Sequence, residues 1–231
     1  MSQSDKPICI IPARGGSKRF PRKNVAPLGG KPLLAWTIET AISSAISESV
    51  VVSSDDAEIL NVAKNHGATI HERAATLSDD RTTVAEVCTA ICGDITGERI
   101  DDQTIIALLP TSPFRSAKTI RGAYEQFVNN NGESMLSVSP LEHPPEWAMM
   151  LNEGFLQPCD EESYNTPRNE LQPSVRGDGL IMMARLSFLK AHRSFLGPRT
   201  LAFLSPPGET VDIDEPRDLL WAEFLLAQQE K

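Results

Sequence analysis

Between Arg14 and Lys23 the chain gathers five cations, Arg14, Lys18, Arg19, Arg22 and Lys23, around the pair Gly15-Gly16. Glycine lets a backbone approach a ligand closely and turn its N–H groups toward phosphate oxygens. Arginine adds a bidentate fork and lysine a point charge, so the segment suits a triphosphate. Near the other end, Val211-Asp212-Ile213-Asp214 sets two carboxylates two residues apart. At a strand end that spacing points both side chains to one face. Two such carboxylates suit Mg²⁺ (or Mn²⁺), a hard ion that shares its oxygen ligands with substrate phosphates. Asp214 has a competing reading as the N-cap of a helix opening at Glu215-Pro216. Asp212 has no such competing role.

The cationic loop stands out because the rest of the chain is acidic. Over 231 residues the formal net charge is −9, with 23% charged and 40% hydrophobic residues. That composition is ordinary for a globular protein. The charge argues against non-specific nucleic-acid binding, so an anionic ligand needs a local basic pocket. Apolar runs such as Thr104 to Leu109 fall far short of the roughly 20 residues of a membrane helix. The polar start, Met1 to Lys6, lacks the apolar core of a secretory signal, which makes the cytoplasm the expected compartment and excludes a membrane partner. Cys9, Cys88, Cys92 and Cys159 lack paired CxxC spacing and read as packing thiols. The four histidines form no HxxxH pair, so zinc has little support.

Placing the loop requires a strand before it and a helix after it. Pro7 to Pro12 reads as a buried strand, and Leu34, Ile38, Ala41 and Ala45 recur at helical spacing behind Pro32. Ser49 to Ser53 is a second strand, followed by a helix to Asn65 that Asp55 or Asp56 caps and Gly67 ends. The alternation continues with strands at 69–72, 104–109 and 134–138 and helices at 82–95 and 116–128. Such a pattern predicts an α/β fold of three αβα layers, Rossmann-like, around a mostly parallel sheet that binds ligands beyond the carboxyl ends of its strands. The length fits one domain spanning 1–231. From Pro140 to Pro173 prolines and acids accumulate around an alternating Trp147 to Leu156 run with Gly154 at a turn, which reads as an inserted arm or hairpin. Strands at 179–184 and 201–204 and a helix from Pro216 to about Gln228 close the chain.

The G-x-x-x-x-G-K-[ST] and G-x-G-x-x-G spacings are absent, which disfavours a P-loop ATPase and a dinucleotide fold. Instead Ile11-Pro12-Ala13-Arg14-Gly15-Gly16-Ser17-Lys18-Arg19-Phe20-Pro21-Arg22-Lys23-Asn24 closely resembles the signature loop of the acylneuraminate cytidylyltransferases, the CMP-sialic acid synthetases and their relatives. The resemblance runs on in order through Gly30-Lys31-Pro32-Leu33, Val52-Ser53-Ser54-Asp55-Asp56, Leu109-Pro110-Thr111-Ser112-Pro113 and Val211-Asp212-Ile213-Asp214.

The resemblance implies a nucleotide-diphospho-sugar transferase-like fold in which the arm mediates homodimerisation. It also implies a reaction joining CTP to an acidic nine-carbon α-keto sugar. Ala13, Arg14, Gly15, Ser17 and Lys18 then contact the nucleotide and its phosphates, Asn24 the cytidine, Arg73 the base and ribose, and Thr83 the nucleotide nearby. Arg14 and Lys18 serve catalysis together with Asp212 and Asp214, the metal-binding pair. On the sugar side Arg168 matches an arginine used for the acidic sugar, while Leu109 replaces a common glutamine, Asp178 an asparagine and Met182 a tyrosine. Each replacement removes a donor or changes charge where the sugar is read. A Kdo-type enzyme for an eight-carbon acid and a non-catalytic nucleotide-binding homologue are the alternatives.

Overall fold

The computed structural model describes residues 6–47, 49–79, 81–96 and 103–229; most of the polar N-terminal stretch lies outside them. In chain order the elements are β1 (Ile8–Pro12), β2 (Pro27–Leu28), β3 (Lys31–Pro32), α1 (Leu33–Ser44), β4 (Val50–Ser54), α2 (Ala57–Asn65) and β5 (Thr69–Glu72). There follow α3 (Val84–Thr96), β6 (Thr104–Ala107), α4 (Ala117–Asn129), β7 (Ser134–Pro140), β8 (Met149–Asn152) and β9 (Phe155–Pro158). The chain ends with β10 (Val175–Arg185), α5 (Leu186–His192), β11 (Leu201–Leu204) and α6 (Pro216–Gln229).

Seven strands form one sheet in the order β11-β7-β10-β6-β1-β4-β5. β1 pairs in parallel with β4 and β6, β4 with β5, and β11 with β7; β10 alone runs against its neighbours β6 and β7. Strand side chains alternate between faces, and the core divides accordingly. Cys9, Ile11, Val50, Val52 and Ile106 pack toward Leu34, Ile38, Ile59, Ile120 and Phe127 of α1, α2 and α4. Ile10, Val51, Ile105 and Ala107 pack toward Cys88, Ile91 and Leu189 of α3 and α5. These are the expected three αβα layers. A third cluster, Leu28, Leu33, Ile213 and Ala222, docks α6 beside the β2–β3 hairpin.

The helix starts are set by local chemistry. The Asp56 side chain accepts from the N–H groups of Glu58 and Ile59, capping α2. Ser116 caps α4 in the same way through Thr119 N–H.

Two expectations shift. Asp212 and Asp214 do not sit at a strand end: β11 stops at Leu204 and residues 205–215 carry no regular structure. The segment is fixed instead by Ile213, fully buried, whose N–H donates to Thr111 O at 2.9 Å. β10 begins at Val175, four residues before the expected start, because Val175 to Gly177 pair with Pro140 to Val138 ahead of a register shift between Gly177 and Met182. The shift falls at Gly179, whose φ of 72° interrupts the period-two pattern by which strands are read. The inserted segment holds the β8–β9 hairpin, with Glu153 and Gly154 at positive φ in its turn. No helix among the described residues is long and apolar enough to cross a membrane.

Candidate active site

The loop after β1 and the segment around Ile213 meet in a cleft of about 390 Å³. Of the expected residues, Arg14, Ser17, Lys18, Asn24, Leu109 and Asp214 line it, joined by Arg19, Lys23 and Thr111. It lies at the carboxyl ends of β1 and β6, where the fold predicted a ligand site.

The loop is held by acids at the start of α2. Gly15 N–H donates to Asp55 Oδ1 at 2.9 Å, and Arg22, at φ 62°, donates to Asp56 Oδ2 at 3.0 Å. A Cβ on Gly15 would lie 2.8 Å from the Asp56 Cβ, so only glycine fits that approach. The sequence shows the Asp55-Asp56 pair as a helix cap; Asp56 is the cap, while Asp55 reaches back to the loop. Asn24, 7% exposed, donates from Nδ2 to Arg14 O at 2.9 Å, closing the loop from inside.

The two ends of the chain are joined by charge. Lys23 Nζ donates to Asp214 Oδ1 at 2.9 Å and Arg19 Nη2 to Asp214 Oδ2 at 2.5 Å. Partial burial pushes the Asp214 carboxyl up, but the bonds and charges of Lys23 and Arg19 outweigh it and hold it below the usual aspartate value. At Asp212 desolvation prevails, and with the Asp214 charge beside it raises the carboxyl against the hydrogen bond from Thr111 and the charges of Lys23 and Arg176. Asp212 is exposed and stands outside the cleft lining, beside Asp214. The Asp214 side chain serves the loop cations and not the start of α6, where the N–H groups of Asp214 and Glu215 donate to Asp218 Oδ2. Proximity in sequence points to the N-cap, whereas the side-chain partners come from the far end of the chain.

Other expected residues stand outside the cleft lining. Arg73, 8% exposed, donates from Nε to Ser53 Oγ (3.2 Å) and from Nη2 to Ser53 O (2.6 Å). The same Ser53 carbonyl receives the N–H of Ala13, the residue before Arg14, so Arg73 sits at the base of the loop. Burial lowers the Arg73 guanidinium, with the Asp55 charge opposing. Thr83 is exposed and exchanges bonds with Glu86: its N–H and hydroxyl donate to Glu86 Oε2, and Glu86 N–H donates to Thr83 Oγ1. That is a capping box at the start of α3.

On the sugar side, Asp178 is 5% exposed and its carboxylate accepts from Ser137 Oγ (2.5 Å), Ser205 Oγ (2.6 Å) and Leu180 N–H (3.1 Å). Those bonds fix the carboxylate between β7, β10 and the residue after β11, which gives Asp178 a structural role in the fold. Met182 is a strand residue paired with Ala107 and Leu136 and packed on the α3–α5 side. Leu109 lines the cleft, and its carbonyl accepts from Arg115 Nη2 at 3.1 Å. Arg168 lies exposed within the arm, donating to Glu142 O and Leu141 O. Arg115 went unread in the sequence. It is 2% exposed, bonds Leu180 O and Leu109 O, and burial lowers it to about 10 against the charges of Cys9, Glu209 and Asp178. A lone arginine after Ser112-Pro113 carries no signal that it turns inward.

As a metal site the acidic pair fits in part of its chemistry. Two adjacent carboxylates, one raised by burial and then by its neighbour's charge, supply hard oxygen donors where a divalent cation would relieve repulsion. Among the described residues no group of three or more His, Cys, Asp or Glu side chains is placed to hold a metal, so phosphate oxygens would have to complete the shell.

Comparison with known proteins identifies the family and the fold. The family model described as cytidylyltransferase matches residues 8–148. The chain is 34% identical over 223 residues to the pseudaminic acid cytidylyltransferase of Campylobacter jejuni, covering 95% of this chain and 96% of the relative. It is 33% identical to the CMP-N,N'-diacetyllegionaminic acid synthase of Legionella pneumophila, covering 95% of each. By shape it is similar to CMP:2-keto-3-deoxy-manno-octonic acid synthetase solved with CTP, with TM-score 0.71 at 17% identity over 97% of this chain and 100% of that one; this likeness shows the fold.

Proposed function

The chain belongs to the cytidylyltransferase family and is a nucleotidyltransferase, and from that premise we propose that it activates an acidic nine-carbon α-keto sugar with CTP, yielding a CMP-sugar and pyrophosphate. The observation that carries the reading is the cleft in which Arg14, Lys18, Arg19 and Lys23 face Asp214, with Asp212 beside it. Relatives named for pseudaminic and legionaminic acids favour this substrate class over the eight-carbon alternative.

The chain's own residues supply positioning and charge. Arg14, Ser17 and Lys18 hold the triphosphate along the loop, Asn24 and Arg73 orient the nucleoside, and Lys18 offsets the charge that grows on the departing pyrophosphate. The anomeric hydroxyl of the sugar attacks the α-phosphorus, forming the new P–O bond as the bond to pyrophosphate breaks. Mg²⁺ or Mn²⁺ bound by Asp212 and Asp214 would supply phosphate-charge neutralisation and acidify the sugar hydroxyl. Asp214 must then exchange at least one of its bonds to Lys23 and Arg19, leaving those cations to phosphate. Thr83 joins this reading only as a neighbour, since its side chain caps α3.

The inserted segment suits a dimerisation arm in a cytoplasmic homodimer. Met149, Met150, Leu151, Phe155 and Leu156 of its hairpin are exposed, an apolar surface that a second copy would cover. Arg168 then meets the sugar carboxylate across that contact.

Pyrophosphate release from CTP, measured with pseudaminic, legionaminic and N-acetylneuraminic acids and with Kdo, tests the reading. Turnover with a nine-carbon acid supports it. Preference for Kdo supports the eight-carbon alternative, and CTP binding without turnover on any acid supports a non-catalytic homologue.

A further inference from the structure

Behind Arg73 lies a chain of side-chain hydrogen bonds that the proposed reaction does not use. Asp94 Oδ2 stands 3.1 Å from His71 Nε2, His71 Nδ1 stands 3.0 Å from Ser53 Oγ, and Arg73 Nε donates to that same oxygen at 3.2 Å. The four residues come from different places: Asp94 from the last turns of α3, His71 from β5, Ser53 from β4, and Arg73 from the loop after β5.

The directions follow from donor chemistry. A carboxylate only accepts, so Nε2 carries the hydrogen toward Asp94 and, in the neutral ring, leaves Nδ1 as an acceptor. The Ser53 hydroxyl therefore gives its hydrogen to His71 and keeps a lone pair for Arg73 Nε–H. Ser53 is fully buried, so its hydroxyl has no water to turn to, and His71 fixes which way it points. With the Ser53 carbonyl taking Arg73 Nη2 at 2.6 Å, the guanidinium is gripped at two atoms in a defined plane.

We propose that His71, anchored by Asp94 and acting through Ser53, is a positioning residue that orients the Arg73 guanidinium toward the nucleoside half of CTP. This rests on the reading of Arg73 as a nucleotide-binding residue, and it adds three residues the proposed reaction leaves without a role. If the grip fails, Arg73 tilts on its stem; the phosphate loop, whose own anchors are Asp55, Asp56 and Asn24, stays in place.

Calorimetric titration of the full chain with CTP and, separately, with inorganic tripolyphosphate separates the two halves of the site. His71→Phe removes the acceptor, and Asp94→Ala, at an exposed residue, loosens the ring while leaving the core alone should the first variant fold poorly. Both should weaken CTP roughly threefold to tenfold, the effect of a lost hydrogen bond, and leave tripolyphosphate unchanged. His71→Asn, whose amide oxygen takes the place of Nδ1, should recover most of the loss. Equal weakening of both ligands would mean general loosening and overturn the proposal. So would wild-type CTP affinity in His71→Phe and Asp94→Ala while Arg73→Gln is weakened. An unweakened Arg73→Gln would instead overturn the nucleotide role of Arg73 on which the proposal stands.

Discussion

Lys23 Nζ and Asp214 Oδ1 are 2.9 Å apart across 191 residues of sequence. The bond joins the cationic loop that leaves the first strand to the acidic pair ahead of the last helix, and Arg19 doubles it. A loop of five cations held in this way does not scatter by self-repulsion. The same acid sets the charge at which phosphate and a divalent ion would enter.

The two loop glycines should separate packing from ligand approach. An alanine at Gly15 drives its Cβ into Asp56, which α2 and Arg22 hold in place, whereas a Cβ at Gly16 meets nothing within 4 Å. Gly15→Ala should lower the stability to urea by about 1–3 kcal/mol, the usual cost of overpacking. Gly16→Ala should leave stability within about 0.5 kcal/mol and weaken CTP binding alone. Equal stabilities in the two variants would contradict this loop packing.

Asp178 tests structure against recognition. Its carboxylate gathers two buried hydroxyls and a backbone N–H from β7, β10 and the residue after β11. Asp178→Ala should cost about 2–4 kcal/mol in urea unfolding by leaving those donors unpaired. A variant of unchanged stability with a raised KM for the sugar would give Asp178 the sugar role instead of the structural one.

Acid should act on the cap of α3. The bond from Thr83 N–H, and after it that from the Thr83 hydroxyl, hold the Glu86 carboxyl below its ordinary value. A depressed carboxyl contributes stability that is fully present above the unfolded value of about 4.3 and lost as pH falls through the folded one. Melting temperature should therefore fall less steeply below about pH 4.3 in Glu86→Gln than in the unaltered chain. Parallel curves would show that the box does not hold in solution.

The alternation of strands and helices was legible because strand burial on both faces and helical spacing are local signals. β5 and β11 have the bounds the sequence predicts. The antiparallel course of β10 was not legible, since strand direction depends on pairing with β6 and β7 and not on composition. The cationic loop was legible from residue type, but its partners were not. Asp55, Asp56 and Asp214 are distant acids whose meeting with the loop is decided by the fold. The partners of Thr83 and Asp178 divide in the same way: Glu86 is three residues from Thr83 and legible as a capping box, whereas Ser137 and Ser205 reach Asp178 only through the fold.

On the proposed reading CTP opens at its α-phosphorus in the cleft where the loop faces Asp214, with Asp212 beside it. Phosphorus NMR of the chain with CTP, Mg²⁺ and a nine-carbon α-keto acid sugar should show CTP converted to pyrophosphate and a CMP phosphodiester, with Asp212→Asn giving neither above background. Release of the γ-phosphate alone, or wild-type conversion by Asp212→Asn, would contradict it.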